Sequence, residues 1–165
     1  MKKSAIKAFT LIELLVVVAI IGILAAIGVV SFSGFTGGAK ISAAKANHAN
    51  VVKSLSAELK KCEMGTQNLS LMVSSTTPTT VPCAKTSTNT ATMVTNFIGH
   101  FNNSGFKNPY TQLAALSNSA TTEGVTRMQP NTPTAGQITI TTYWIDEATN
   151  AVTTSPLVRT ITDER

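Results

Sequence analysis

Hydrophobic and polar positions divide the chain into stretches of different period. Residues 9–30 are apolar except for Thr10 and Glu13. At 1.5 Å rise per residue they make a helix of about 33 Å, enough to cross the hydrocarbon core of a bilayer. Residues 39–61 change to an amphipathic pattern, with Ile41, Ala44, Val52, Leu55 and Leu59 on one side and Lys40, Lys45, Asn47, Lys53, Glu58 and Lys60 on the other. The two stretches predict one long helix over residues 9–61, whose second half needs its apolar stripe covered. Between them, residues 31–38 hold Gly34, Gly37 and Gly38. Each glycine costs a helix interior about 1 kcal/mol relative to alanine, so a bend or local unwinding is expected there.

Downstream, residues 74–92 are small and polar, Ser/Thr/Pro-rich, and predict a surface loop. Residues 93–101 predict a short helix or an irregular packed segment, with Phe97, Ile98 and Phe101 in the core and turn-rich residues after them. The last third reads as strands over residues 124–129, 137–146 and 156–162, with residues 147–150 suited to a turn. Ile138 and Ile140 alternate with Thr139 and Thr141, the period of a sheet covered on one face. Short connections favour antiparallel pairing. The fold class expected is therefore α+β: a long N-terminal helix packed on a C-terminal antiparallel β-sheet. Tyr143 and Trp144 would point to opposite faces, placing only one of them in the core.

Charge then sets the topology. Lys2, Lys3 and Lys7 lie in the leader, residues 1–8, and the next basic residue is Lys40. That excess holds the amino end on the cytoplasmic side and everything after about residue 31 outside. The formal charge of +5 falls to +2 if the leader is removed, since ten basic then face eight acidic residues, and no strong case for nucleic-acid binding remains. About a hundred residues, 62–165, form the outward head.

Outside the cytoplasm, Cys62 and Cys83 most simply form one disulfide, tying the end of the long helix to the polar loop. A lone reactive thiol or a metal site lacks an adjacent base, a CxxC spacing or nearby histidines. His48 and His100 each lack a second ligand, and no nucleophile, base or nucleotide loop is present, so no enzyme and no cofactor are expected. Asp146, Glu147, Asp163 and Glu164 read as solvated carboxylates rather than a calcium site. Asn68-Leu-Ser70 and Asn102-Asn-Ser104 match the N-glycosylation triplet, a signal of low specificity.

Glu13 is the one charge in the apolar run and has no cationic residue a helical turn downstream. A carboxylate near the hydrocarbon edge calls for a partner or a function. An ordinary signal peptide cut near Ala25 and Ala26 does not suit a charge inside its apolar region, and a plain single-span anchor merely tolerates it.

The segment Ala8-Phe9-Thr10-Leu11-Ile12-Glu13 resembles the class III signal of type IV prepilins and pseudopilins. The resemblance is close over residues 1–35. It implies cleavage between Ala8 and Phe9 by a prepilin peptidase, methylation of the new Phe9 amino group, and Glu13 as the family's acidic residue. It also implies a pilin-like roll for the head, assembly into a helical homo-oligomer by a platform and an ATPase, and minor pilins as partners. Two positions depart from the pattern: Ala8 stands where the family usually has glycine, and Val30 where related pilins carry a proline. Gly22 with Ala26, Ala25 with Gly28, and Gly34 with Gly38 supply the small residues that close helix packing requires. The resemblance leaves open a surface pilus and a type II secretion pseudopilus. From a different class, a membrane-tethered or secreted binding module also fits, but leaves Glu13 unexplained.

Overall fold

The computed structural model describes residues 9–74, 76–84, 86–131, 136–146, 149, 151–153 and 156–162. The chain divides into two compact units, residues 1–38 and residues 39–165.

Helix α1, Leu11–Glu63, is the longest element. Its first part carries the apolar run, which is long and apolar enough to cross a membrane and is left unburied. Residues 31–38, where the glycines predict unwinding, are helical throughout.

In the unit of residues 39–165, α1 lays one stripe on the core: Ala44, His48, Val51, Leu55, Leu59 and Cys62. Their spacing of three and four residues keeps them on one helical face. Strands β1 (Asn68–Leu71) and β2 (Thr79–Pro82) pair antiparallel and turn Leu69, Leu71 and Val81 inward. Helix α2, Ser87–Asn103, starts at Thr86, whose hydroxyl accepts from the Asn89 N–H at 3.1 Å. It buries Met93, Val94, Phe97 and Phe101. So residues 74–92, expected to be a loop, contain a short strand and the first turns of a helix.

The main sheet has the order β3 (Leu116–Ser117), β4 (Thr126–Pro130), β5 (Gln137–Thr142), β8 (Leu157–Thr162). Met128, Ile138 and Ile140 face the core, as their alternation predicts. The β4–β5 and β5–β8 pairs are antiparallel, but β3 joins β4 in parallel, so the sheet is mixed. Asn102 on α2 receives the Leu116 N–H on Oδ1 and donates Nδ2 to the Leu116 carbonyl, both at 3.0 Å, and so acts as a side-chain neighbour to this two-residue edge. A small hairpin, β6 (Ile145–Asp146) with β7 (Ala151–Val152), completes an α+β fold.

Strand β5 ends at Thr142, and neither Tyr143 nor Trp144 enters the core. Both stay half-buried under a cation: the Arg127 guanidinium lies 5.8 Å from the Tyr143 ring and Lys45 Nζ 4.8 Å from the Trp144 ring.

Candidate functional site at the amino terminus

Phe9 and Thr10 precede the helix, and Phe9 is 87 % exposed. Ala8 and the rest of the leader lie outside the described residues. Thr10 takes the position before the first helical residue, and Glu13 stands three places on. The Thr10 N–H and hydroxyl donate to Glu13 Oε2 at 2.8 and 2.7 Å, and the Glu13 N–H donates to Thr10 Oγ1 at 3.3 Å. This reciprocal pairing is a capping box, which satisfies donors that a helix start leaves open. The isolated Glu13 read from the sequence is therefore not without a partner. The Thr-x-x-Glu spacing at residues 10–13 carries that signal, and looking only for a cation misses it.

From Phe9 to Phe35 every large apolar side chain is exposed. Gly22 and Ala26 lie on this open helix surface. A Cβ added at Gly22, Gly28 or Gly34 would meet no atom within 4 Å, so packing inside the single chain does not require glycine at these places.

Cys62 and Cys83 form a disulfide with their Cα atoms 5.6 Å apart, joining the last turn of α1 to the residue after β2. Both cysteines are buried, and the Cys83 N–H donates to the Gln67 carbonyl at 2.9 Å.

The other candidates resolve one by one. Asn68 is exposed on β1, whereas both ends of the Asn102 amide are used on Leu116, so the second triplet is built into the fold. His48 is buried, with Nδ1 2.9 Å from Thr142 Oγ1, and burial holds its imidazole below the ordinary value. His100 Nδ1 accepts the Met72 N–H at 3.1 Å. Asp146 Oδ1 accepts from the Thr149 N–H, while Glu147, Asp163 and Glu164 lie outside the described residues. Among the described residues no three His, Cys, Asp or Glu side chains gather as a metal site.

The family model described as the prokaryotic N-terminal methylation motif matches residues 3–29. That motif is the class III signal of type IV pilins and pseudopilins, and it points to a structural subunit rather than an enzyme. It fits a precursor anchored in the membrane and supports a pilin or a pseudopilin. No curated protein and no solved structure matches the chain.

Proposed function

We propose that the protein is a subunit that polymerises through residues 9–35 into a type IV pilus filament serving adhesion, surface motility or DNA uptake. The observation that carries this reading is the exposed apolar surface of residues 9–35, starting at the Thr10–Glu13 cap and overlapping the methylation motif. A surface of that kind does not persist in water. A bilayer covers it first, and copies of the same helix cover it after assembly. Prepilin peptidase cleaves between Ala8 and Phe9, and the new Phe9 amino group is methylated. In a staggered stack that amino cation pairs with Glu13 of a neighbour and sets the register. Gly22 and Ala26 allow the backbones to approach. An assembly platform, its ATPase and minor pilins complete the route from inner membrane to cell surface.

The test is intact mass with amino-terminal fragmentation of protein recovered from sheared surface fibres. A chain beginning at N-methylated Phe9 with its disulfide intact supports the pilus. The same chain confined to the periplasm, with a secretion defect on deletion, is the pseudopilin outcome. A chain still beginning at Met1 in the membrane, or cut near Ala26 in the medium, overturns both. Glu13→Ala subunits are expected to remain in the membrane and to enter filaments poorly, which fibre yield against membrane content measures.

A further inference from the structure

Within the unit of residues 39–165, one loop and the neighbouring stretch of α1 combine two cations, a built backbone and an exposed apolar side chain that the filament reading does not use. A groove of about 440 Å³ is lined by Lys40, Asn47, Lys107, Pro109 and Gln112, among others. Lys40 and Lys107 are exposed, and neither makes an ion pair among the described residues. Lys40 Nζ lies 5.6 Å from the centre of the Tyr110 ring.

The loop bearing Lys107 is fixed from beneath. Asn108 is only 3 % exposed; its Oδ1 accepts the Tyr110 N–H at 2.8 Å and its Nδ2 donates to the Glu123 carbonyl at 3.0 Å. Asn47 Nδ2 donates to the Lys107 carbonyl at 3.0 Å and ties the loop to α1. Gln112 is the one non-glycine among the described residues with a positive φ, at 60°, and its N–H donates to the Asn108 carbonyl at 2.8 Å. A left-handed glutamine is strained, and such strain persists only where its surroundings impose it. Its neighbour Leu113, whose carbonyl accepts the Asn108 N–H at 3.0 Å, is left 68 % exposed on the same loop as Lys107.

A protruding leucine with ammonium groups and a tyrosine is the chemistry of a membrane-interface contact. A carboxylate from a second copy would satisfy the lysines and leave Leu113 in water, whereas a phospholipid offers phosphate and acyl chain together. Lys40 also follows Phe35 by five residues, so chain connectivity alone keeps it within about 18 Å of the end of the exposed apolar run. We propose that Lys40 and Lys107 hold the phosphate of an anionic phospholipid headgroup while Leu113 enters the headgroup–acyl boundary, a contact made by the precursor and given up on assembly. The proposal rests on the membrane-precursor reading.

The test uses the full chain reconstituted in phosphatidylcholine vesicles containing either spin-labelled phosphatidylglycerol or spin-labelled phosphatidylcholine at equal mole fraction. Trp144 is the chain's single tryptophan, and the N–H of the next residue, Ile145, donates to the Tyr110 hydroxyl at 3.3 Å, so its fluorescence reports on this loop. Stronger quenching by the anionic lipid is expected, with local enrichment of about fivefold per lysine. Lys40→Gln with Lys107→Gln should bring the two lipids to equality, Leu113→Ser should lower quenching by both, and Lys53→Gln should change neither. Equal quenching in the unmodified chain, or a preference that survives the double lysine substitution, overturns the proposal. So does a preference that appears only as the protein-to-lipid ratio rises, which marks contact between copies. A chain that fails to float with the vesicles overturns the membrane reading and the proposal with it.

Discussion

Thr10 and Glu13 hold each other at the first turn of α1: both Thr10 donors reach Glu13 Oε2, and the Glu13 N–H returns a bond to Thr10 Oγ1. The carboxylate is therefore already oriented in the single chain. Thr10→Val removes the hydroxyl and with it two of the three bonds. Amide exchange at residues 11–14 in detergent micelles should become faster, and filament yield should fall. Thr10→Ser keeps the geometry and should restore both. Unchanged exchange in the valine variant would show that the helix start is held by something else.

His48 joins α1 to the sheet through a buried polar chain. Its Nδ1 lies 2.9 Å from Thr142 Oγ1, and that oxygen lies 2.7 Å from Thr126 Oγ1. The groups facing it from β4 and β5 are hydroxyls, and the charged group one turn before it on α1 is Lys45, so nothing there favours an imidazolium. Burial lowers its pKa from 6.5, and the folded state binds the proton less readily than the unfolded one. The stability this histidine contributes is complete above that value and is lost as pH falls through the folded-state pKa. The thermal midpoint of the detergent-solubilised chain, followed by Trp144 fluorescence, should drop from about pH 7 to about pH 5. His48→Gln should flatten that slope whatever it does to the midpoint. Parallel slopes in the two proteins would refute the assignment.

Much of this architecture is legible in the chain because its signals are local and repeated. The buried positions of α1 recur every three or four residues, and Ile138 and Ile140 alternate with threonines, so helix and sheet announce their inner faces. Strand β2 escapes because only Val81 of its four residues is buried, and one apolar residue among threonines shows no period. Strand β3 escapes because it is two residues long and, beside β4, its other neighbour is a side chain fourteen residues earlier, an arrangement that no window of sequence displays. Tyr143 and Trp144 follow the end of β5, where alternation no longer decides orientation. At the amino terminus, Thr10-Leu-Ile-Glu13 carries the resemblance and the capping box in the same letters, and the structure adds the second meaning.

The disulfide restrains a segment that has little apolar material of its own. Cys62 and Cys83 are 21 residues apart, and chain-entropy arguments give a stabilisation of about 3 kcal/mol for a loop of that size. Cys62→Ser with Cys83→Ser should lower stability by about that amount, read from the urea midpoint. The loss should concentrate in β1, β2 and the end of α1, where hydrogen exchange rises first. A uniform rise across the main sheet would mean that the crosslink supports the whole head instead.

Asn102 closes the edge of the main sheet in a way that asparagine alone suits. Its amide offers an acceptor and a donor at the spacing of a backbone unit, and Leu116 uses both at 3.0 Å. Asn102→Ala leaves the partly buried N–H and carbonyl of Leu116 without these partners, at a cost of about 1–3 kcal/mol for each group left unsatisfied. Asn102→Asp keeps the acceptor but replaces the donor with a second oxygen, setting a carboxylate against the Leu116 carbonyl. It should therefore destabilise despite its near-identical shape. Both variants should show faster exchange at Leu116 and Thr126, whose N–H donates to the Ala115 carbonyl at 2.8 Å, while the β5–β8 pairing keeps its protection. The same geometry forbids a glycan on Asn102 of the folded chain, so peptide mapping of any glycosylated material should find that residue bare. A mapped glycan at Asn102, or native exchange at Leu116 in the alanine variant, would refute the role given to this side chain.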